Sequence, residues 1–211
     1  MTMRTHLQKS QISEHIFRAY DIRGIYGKDV TPQVAELIGK GFGTYMGGVG
    51  KNLAVGRDVR LGGEELKKAL VKGLVSVGCR IIDLGLVPTP VLYWAIPHLD
   101  RHGGVMITAS HNPPEWNGFK LCREKGLIVG QGSGMEQIRE IVTRKKFART
   151  VASGKKEAYK WILDEYSRFV RDKIKLAGEL RIVLDIGNGA SGTIAPKLFR
   201  QMGCEVTALN E

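Results

Sequence analysis

The chain has 211 residues, 43% hydrophobic and 25% charged, with 27 glycines in no fixed period; that balance describes a globular protein and excludes disordered and collagen-like chains. No apolar run approaches the roughly 20 residues of a membrane helix, the opening MTMRTHLQKSQISEHIF lacks the apolar core of a leader, and Cys79, Cys122 and Cys204 form neither a CxxC pair nor a disulfide framework, so a cytoplasmic protein with no membrane association is expected. Lys+Arg number 32 against 21 Asp+Glu, a net charge of +11, which suits either nucleic acid or small anions as partners.

After a polar lead, Phe17 to Gly27 reads as a strand and loop rich in Arg and Gly. Thr31 is an N-cap with Pro32 at the first helical position. Val34, Leu37, Ile38, Gly41, Phe42 and Tyr45 then recur at helical spacing up to Gly47-Gly48. Leu53-Ala54-Val55 is a short buried strand, followed by the loop GRDVRLGG. Glu64 to Val77 is a second amphipathic helix ended by Gly78. Arg80–Leu84 and Gly103–Thr108 are strands, and between them Pro88 and Pro90 open an apolar segment reaching Ile96. The third strand runs into ASHNPPEWNG, and Phe119–Cys122 follows as a fourth.

Met135–Val142 is helical. The stretch Arg144–Lys156 is basic but holds one aromatic, Phe147, and no nucleic-acid signature, so it reads as a solvated connector. A helix over Tyr159–Ile174 leads to a second α/β unit: strand Arg181–Ile186, turn, helix Ile194–Met202, strand Glu205–Leu209. Alternating strands and helices give an α/β fold, a mixed sheet sandwiched by helices, with one α/β domain at residues 1–150 and the start of another at 151–211.

Several segments offer chemistry. Thr108-Ala109-Ser110-His111-Asn112-Pro113 lies where an apolar strand ends, the place ligands gather in open α/β sheets. A serine there is a nucleophile if a base and an electrostatic partner stand beside it, or part of a polar turn that bonds its own backbone. Arg23, Arg57, Arg60 and Lys120 sit on loops or strand ends beside glycines, the residue types that bind phosphate oxygens. Asp21 and Asp58 each precede an Arg by two residues, so structural Asp–Arg ties are the competing reading, above all for Arg60. Gly187 to Gly192 matches GxGxxG between a strand and a helix. Asp185 places a carboxylate where a pyrophosphate would come, so a tight strand-to-helix turn is preferred to a dinucleotide site. His6, His15, His98 and His102 are scattered and form no HExxH.

FRAYDIRG at 17–24, GRDVR at 56–60, GLVPTP at 85–90 and TASHNPPEWNGFK at 108–120 together resemble the α-D-phosphohexomutase superfamily, in order and spacing as well as in letters. VLDIGNGASG at 183–192 resembles the start of that family's second domain, so the likeness covers essentially the whole chain. SHNPPEWNGFK is closer to the phosphomannomutase/phosphoglucomutase branch than to the glucosamine branch, where SHNPYYDNGIK is common. The resemblance implies a four-domain isomerase interconverting hexose 6-phosphate and hexose 1-phosphate of mannose or glucose. Ser110 would carry a phosphoryl group, donate it to the sugar phosphate, and recover one from the bisphosphate intermediate. By the same resemblance His111, Lys120 and Arg23 would be acid/base or charge-stabilising groups, and Tyr20, Arg57, Thr108 and Asn112 would bind substrate or phosphate. Mg2+ would sit on the Ser110 phosphate and on the aspartates of a DGDxDR loop. No DGDxDR occurs in this sequence. The expectation is therefore an N-terminal part of a mutase, weak alone and completed by further domains or a second chain, the alternative being a non-catalytic fragment that binds sugar phosphates or a partner.

Overall fold

In the computed structural model, which describes residues 12–211, the Thr31 hydroxyl accepts a hydrogen bond from the Val34 amide (3.3 Å) and starts helix α1, Pro32–Tyr45. His6, one of the scattered histidines, lies outside the described residues. Helix α2, Gly63–Ser76, crosses α1 with the two backbones almost touching. A Cβ on Gly73 would run into the Glu36 carbonyl, and one on Gly39 into the Leu70 carbonyl. Only glycine allows that approach.

Six strands form one mixed sheet: β1 (Ile22–Ile25), β2 (Asn52–Arg57), β3 (Arg80–Leu86), β4 (Gly103–Ile107), β5 (Trp116–Arg123) and β6 (Lys156–Ala158), in the order β1-β5-β4-β2-β3-β6. β5 runs antiparallel to β1 and β4, and the other neighbours are parallel. Helices α1, α2 and α4 (Met135–Thr143) cover one face through Ile38, Phe42, Leu70, Leu74 and Ile138. Helix α3 (Thr89–His98) covers the other, with α5 (Ile162–Lys173) packed beside it. Both faces are therefore buried, and all five residues of β4 are buried with them.

The basic connector carries more structure than its composition suggests. Phe147 and Ala148 pack on the first core, and Lys156–Ala158 adds the edge strand β6 to β3. Local pattern could not reveal it, because β6 is fully exposed and shows no alternation. The helix expected over Tyr159–Ile174 is confined to α5. Beyond it, β7 (Arg181–Asp185) and β8 (Glu205–Leu209) pair in parallel, joined through α6 (Ala195–Gln201). Ile194 and Leu198 pack into the α3–α5 core. An aromatic cluster strengthens that junction: Trp94 stacks on His98 at 3.9 Å and meets the Tyr166 ring edge-on at 5.4 Å. His98 Nε2 in turn lies 3.0 Å from Glu165. Among the described residues no helix is long and apolar enough to cross a membrane.

Candidate active site

The chain passes from β2 to β3 through α2 on one face of the sheet, then from β3 to β4 through α3 on the other. This reversal opens a crevice at the carboxyl ends of β2 and β4. Three loops enter it: Asp58 to Leu61 after β2, Pro88 to Pro90 after β3, and Thr108 to Pro114 after β4. They line a cleft of about 680 Å3, and Gly187 to Ala190 closes its far side.

Ser110 stands at the strand end with φ +56°, in the left-handed region that non-glycine residues seldom occupy. Its amide donates to the Thr108 hydroxyl at 2.8 Å, and its side-chain Oγ lies 3.2 Å from His111 Nδ1. Thr108 is buried, whereas Ser110 and His111 are exposed to the cleft. The Asn112 side chain donates to the Ala109 carbonyl at 2.7 Å, which pins the turn. The loop is a polar turn that bonds its own backbone, and it presents a hydroxyl beside an imidazole.

The four expected cations do not all converge. Of them, only Arg60 lines the cleft. Its guanidinium donates to the carbonyls of Ser110 (2.7 Å), Pro113 (2.8 Å), Trp116 (2.9 Å) and Asn112, while its amide donates to Asp58 at 3.0 Å. The loop-tie reading of Arg60 is thus the one the geometry carries. Arg23 and Lys120 occupy neighbouring strands with Asp21 between them, Arg23 Nε at 3.0 Å and Lys120 Nζ at 3.7 Å. Register explains their grouping with Thr108. Arg23 pairs with Gly118, whose carbonyl accepts from the Thr108 amide, and Lys120 pairs with Met106. Ile22, Phe119 and Ile107 point into the α1–α2 core, so Arg23, Lys120 and Thr108 emerge on the opposite face. Neither cation lines the cleft.

Arg57 turns elsewhere, its Nε 3.0 Å from Glu64. Glu64 also meets Lys67 at 3.1 Å, and buried Lys67 meets Asp83 at 3.0 Å, with Lys156 on the same Asp83 oxygen at 2.9 Å. Burial works to raise the Asp83 pKa, but Lys156, the Gly85 amide and Lys67 together hold it below the ordinary carboxylate value. Glu64 is lowered in the same way, with burial opposed by Lys67 and Arg57. Tyr20 is 70% exposed beside the Gly130 turn and does not line the cleft.

Sequence reasoning missed the far wall. In sequence the GxGxxG turn reads as a dinucleotide site, a tight turn or, by resemblance, the start of a second domain, and none of these places it on the Ser110 cleft. In the structure Asp185 accepts from the Gly187 amide at 3.0 Å and from the Asn210 side chain at 3.0 Å, so its carboxylate fills the turn. The tight turn itself then faces the Ser110 loop. The signal available was the run of small residues, which lets one loop approach another. For a cation the fit is incomplete: among the described residues no three His, Cys, Asp or Glu side chains come together. A phosphoryl group on Ser110 would be this chain's own donor to a metal.

A family profile described as phosphoglucomutase/phosphomannomutase, alpha/beta/alpha domain I, matches residues 14–149. A phosphomannomutase/phosphoglucomutase of Pseudomonas putida is 44% identical over 206 residues, covering 97% of this chain and 43% of its own length. A phosphoglucomutase of Neisseria meningitidis serogroup B is 38% identical over 203 residues, with 95% and 43% covered. Among solved structures, a phosphoglucomutase/phosphomannomutase family protein from Burkholderia thailandensis superposes with a TM-score of 0.84 at 36% identity, covering 94% of this chain and 44% of that one. The chain spans less than half the length of these relatives. With the α/β/α sheet, the TASHNP loop at its switch point and the profile match over most of the chain, this protein belongs to the phosphoglucomutase/phosphomannomutase family.

Proposed function

We propose that this chain carries the phosphoryl-bearing serine of a hexose phosphate mutase. Ser110 Oγ, phosphorylated, gives its phosphoryl group to a free hydroxyl of glucose or mannose monophosphate. The P–Oγ bond breaks, a P–O bond to the sugar forms, and the hydroxyl proton passes to a nearby base. The resulting bisphosphate returns its other phosphoryl group to Ser110, and the sugar leaves as the isomeric phosphate. Phosphoryl transfer asks chiefly for positioning and positive charge. His111, 3.2 Å from Oγ, is the proton carrier, and Arg23 and Lys120, paired on Asp21, supply cationic charge beyond Arg60, which is already committed to the loop carbonyls. Thr108 and Asn112 hold the loop, and Tyr20 and Arg57 bind substrate once it enters. The observation that carries the reading is a strand-end serine, exposed on a cleft beside an imidazole, in a chain whose relatives bear mutase names.

In this reading residues 1–150 are the first domain, and residues 151–211 belong to the second, with β6 reaching back to the edge of the first sheet. A Ser110 phosphate would be the one ligand this chain offers to Mg2+, which would supply charge neutralisation there, with its other ligands provided from outside the described residues. The test is incubation of the chain with glucose 1,6-bisphosphate, followed by peptide mass spectrometry. One phosphoryl group on Ser110, and none on Ser110→Ala, is the expected result. Unmodified Ser110, or equal labelling of the variant, overturns the reading.

A further inference from the structure

From the four carbonyls gathered on one guanidinium, we infer that Arg60 is the positioning residue of the Ser110 loop. The inference rests on the proposed role of Ser110 for its purpose but not for its geometry. Arg60 is rooted after β2, and its side chain is only 13% exposed. Its two terminal nitrogens carry four N–H donors, and the four carbonyls of Ser110, Asn112, Pro113 and Trp116 take all of them. Asp58 faces the remaining Nε at 3.7 Å. A lysine has a point charge and three donors, and cannot reproduce this fork.

Two consequences bear on the serine. First, the Ser110 carbonyl is fixed, and with the Thr108–Ser110 bond it over-determines the left-handed φ of +56° that brings Oγ to the cleft. Second, a trans peptide points its N–H opposite to its carbonyl. With the Ser110 carbonyl turned to Arg60, the His111 N–H is turned away from it. Among the described residues nothing accepts a hydrogen bond from that N–H. With the Ser110 N–H already committed to the Thr108 hydroxyl, it is the next backbone donor along the chain from a phosphoryl group on Ser110. The carbonyl oxygens, which would repel such an anion, are drawn inward. The next two inward carbonyls precede Pro114 and Pro113, so those peptides have no N–H to strand.

The test uses the 211-residue chain, as wild type, Arg60→Ala and Arg60→Lys. Amide exchange without ligand should accelerate about tenfold or more across residues 111–118 in both variants, while β2, β3 and α1 keep their protection. Phosphoserine installed at position 110 by codon suppression, titrated by 31P NMR, gives the second readout. Its second pKa should rise by about half a unit or more in Arg60→Ala, because a donor to the dianion is no longer aimed. Uniform acceleration across the chain would make Arg60 a support of the fold alone and overturn the inference. So would an Arg60→Lys loop as protected as wild type, or an unmoved pKa with an unmoved loop. Should Arg60→Ala not fold, Arg60→Lys decides by exchange. Failure of wild-type Ser110 to accept phosphate from the bisphosphate overturns the mutase reading instead, and is read independently of both measurements.

Discussion

Strands β4 and β7 are each five residues long, each parallel to a neighbour, and each runs into a polar turn at its carboxyl end. All five residues of β4 are buried, whereas β7 alternates between exposed and half-buried, with Val183 67% exposed. The difference lies in what surrounds them. β4 sits between two strands and two helical layers, while β7 has one paired strand, β8, and it is β8 that packs on α6. An apolar strand sequence states what a strand can bury, and the neighbours decide how much of that is realised.

That contrast can be broken at its strong end first. Phe119, fully buried on β5 behind the Ser110 loop, should cost about 3–5 kcal/mol when replaced by Ala, read as a fall in urea midpoint at constant slope. Lys67→Met comes next, at about 2–3 kcal/mol, because it leaves buried Asp83 with one fewer cation. The pH dependence should follow. The folded-state pKa of Asp83 is depressed, so its contribution is fully present above the ordinary Asp value of 3.8 and is lost as pH falls through the depressed folded value. Asp83→Asn should therefore flatten the acid limb of a stability curve taken by urea titration. An unchanged limb would show that the pair contributes nothing to folding.

Thiol chemistry sharpens the comparison more gently. Burial pushes Cys79 up to about 11 and Cys122 up to about 12, with Lys51 and Lys120 offering slight relief, and they lie in the two cores on opposite faces of the six-stranded sheet. Cys204 is also buried, 7% exposed, but beside the two-stranded sheet. Native-state labelling with a disulfide reagent should reach Cys204 first, by about tenfold, since thinly packed regions open at lower free energy. Equal rates would mean that the two regions open as one. At the weak end, Val183→Ala should change stability by less than about 0.5 kcal/mol.

Local chemistry made much of this legible. Thr31-Pro32 announced α1, Gly78 ended α2, and Ser110, picked out at the end of an apolar strand, lies on the cleft. What stayed hidden was non-local. Nothing in WNGFKLCR tells that β5 runs antiparallel between β1 and β4, or that this pairing sets Arg23, Gly118 and Thr108 in one row. The edge strand β6 has no apolar face to advertise it. Arg60 looked like one basic loop residue among four, because four carbonyl partners some fifty positions away leave no mark on the letters around it.

Lys156 lies on the outermost strand of the six, yet its ammonium reaches inward to Asp83. Another molecule adding a strand at that border would have to slide its backbone along a lysine already committed to a buried partner, between the charges of Lys155 and Glu157. The opposite border, β1, offers only four residues. Both margins of the six-stranded sheet thus discourage strand addition there, and the charge that holds Asp83 also guards an edge.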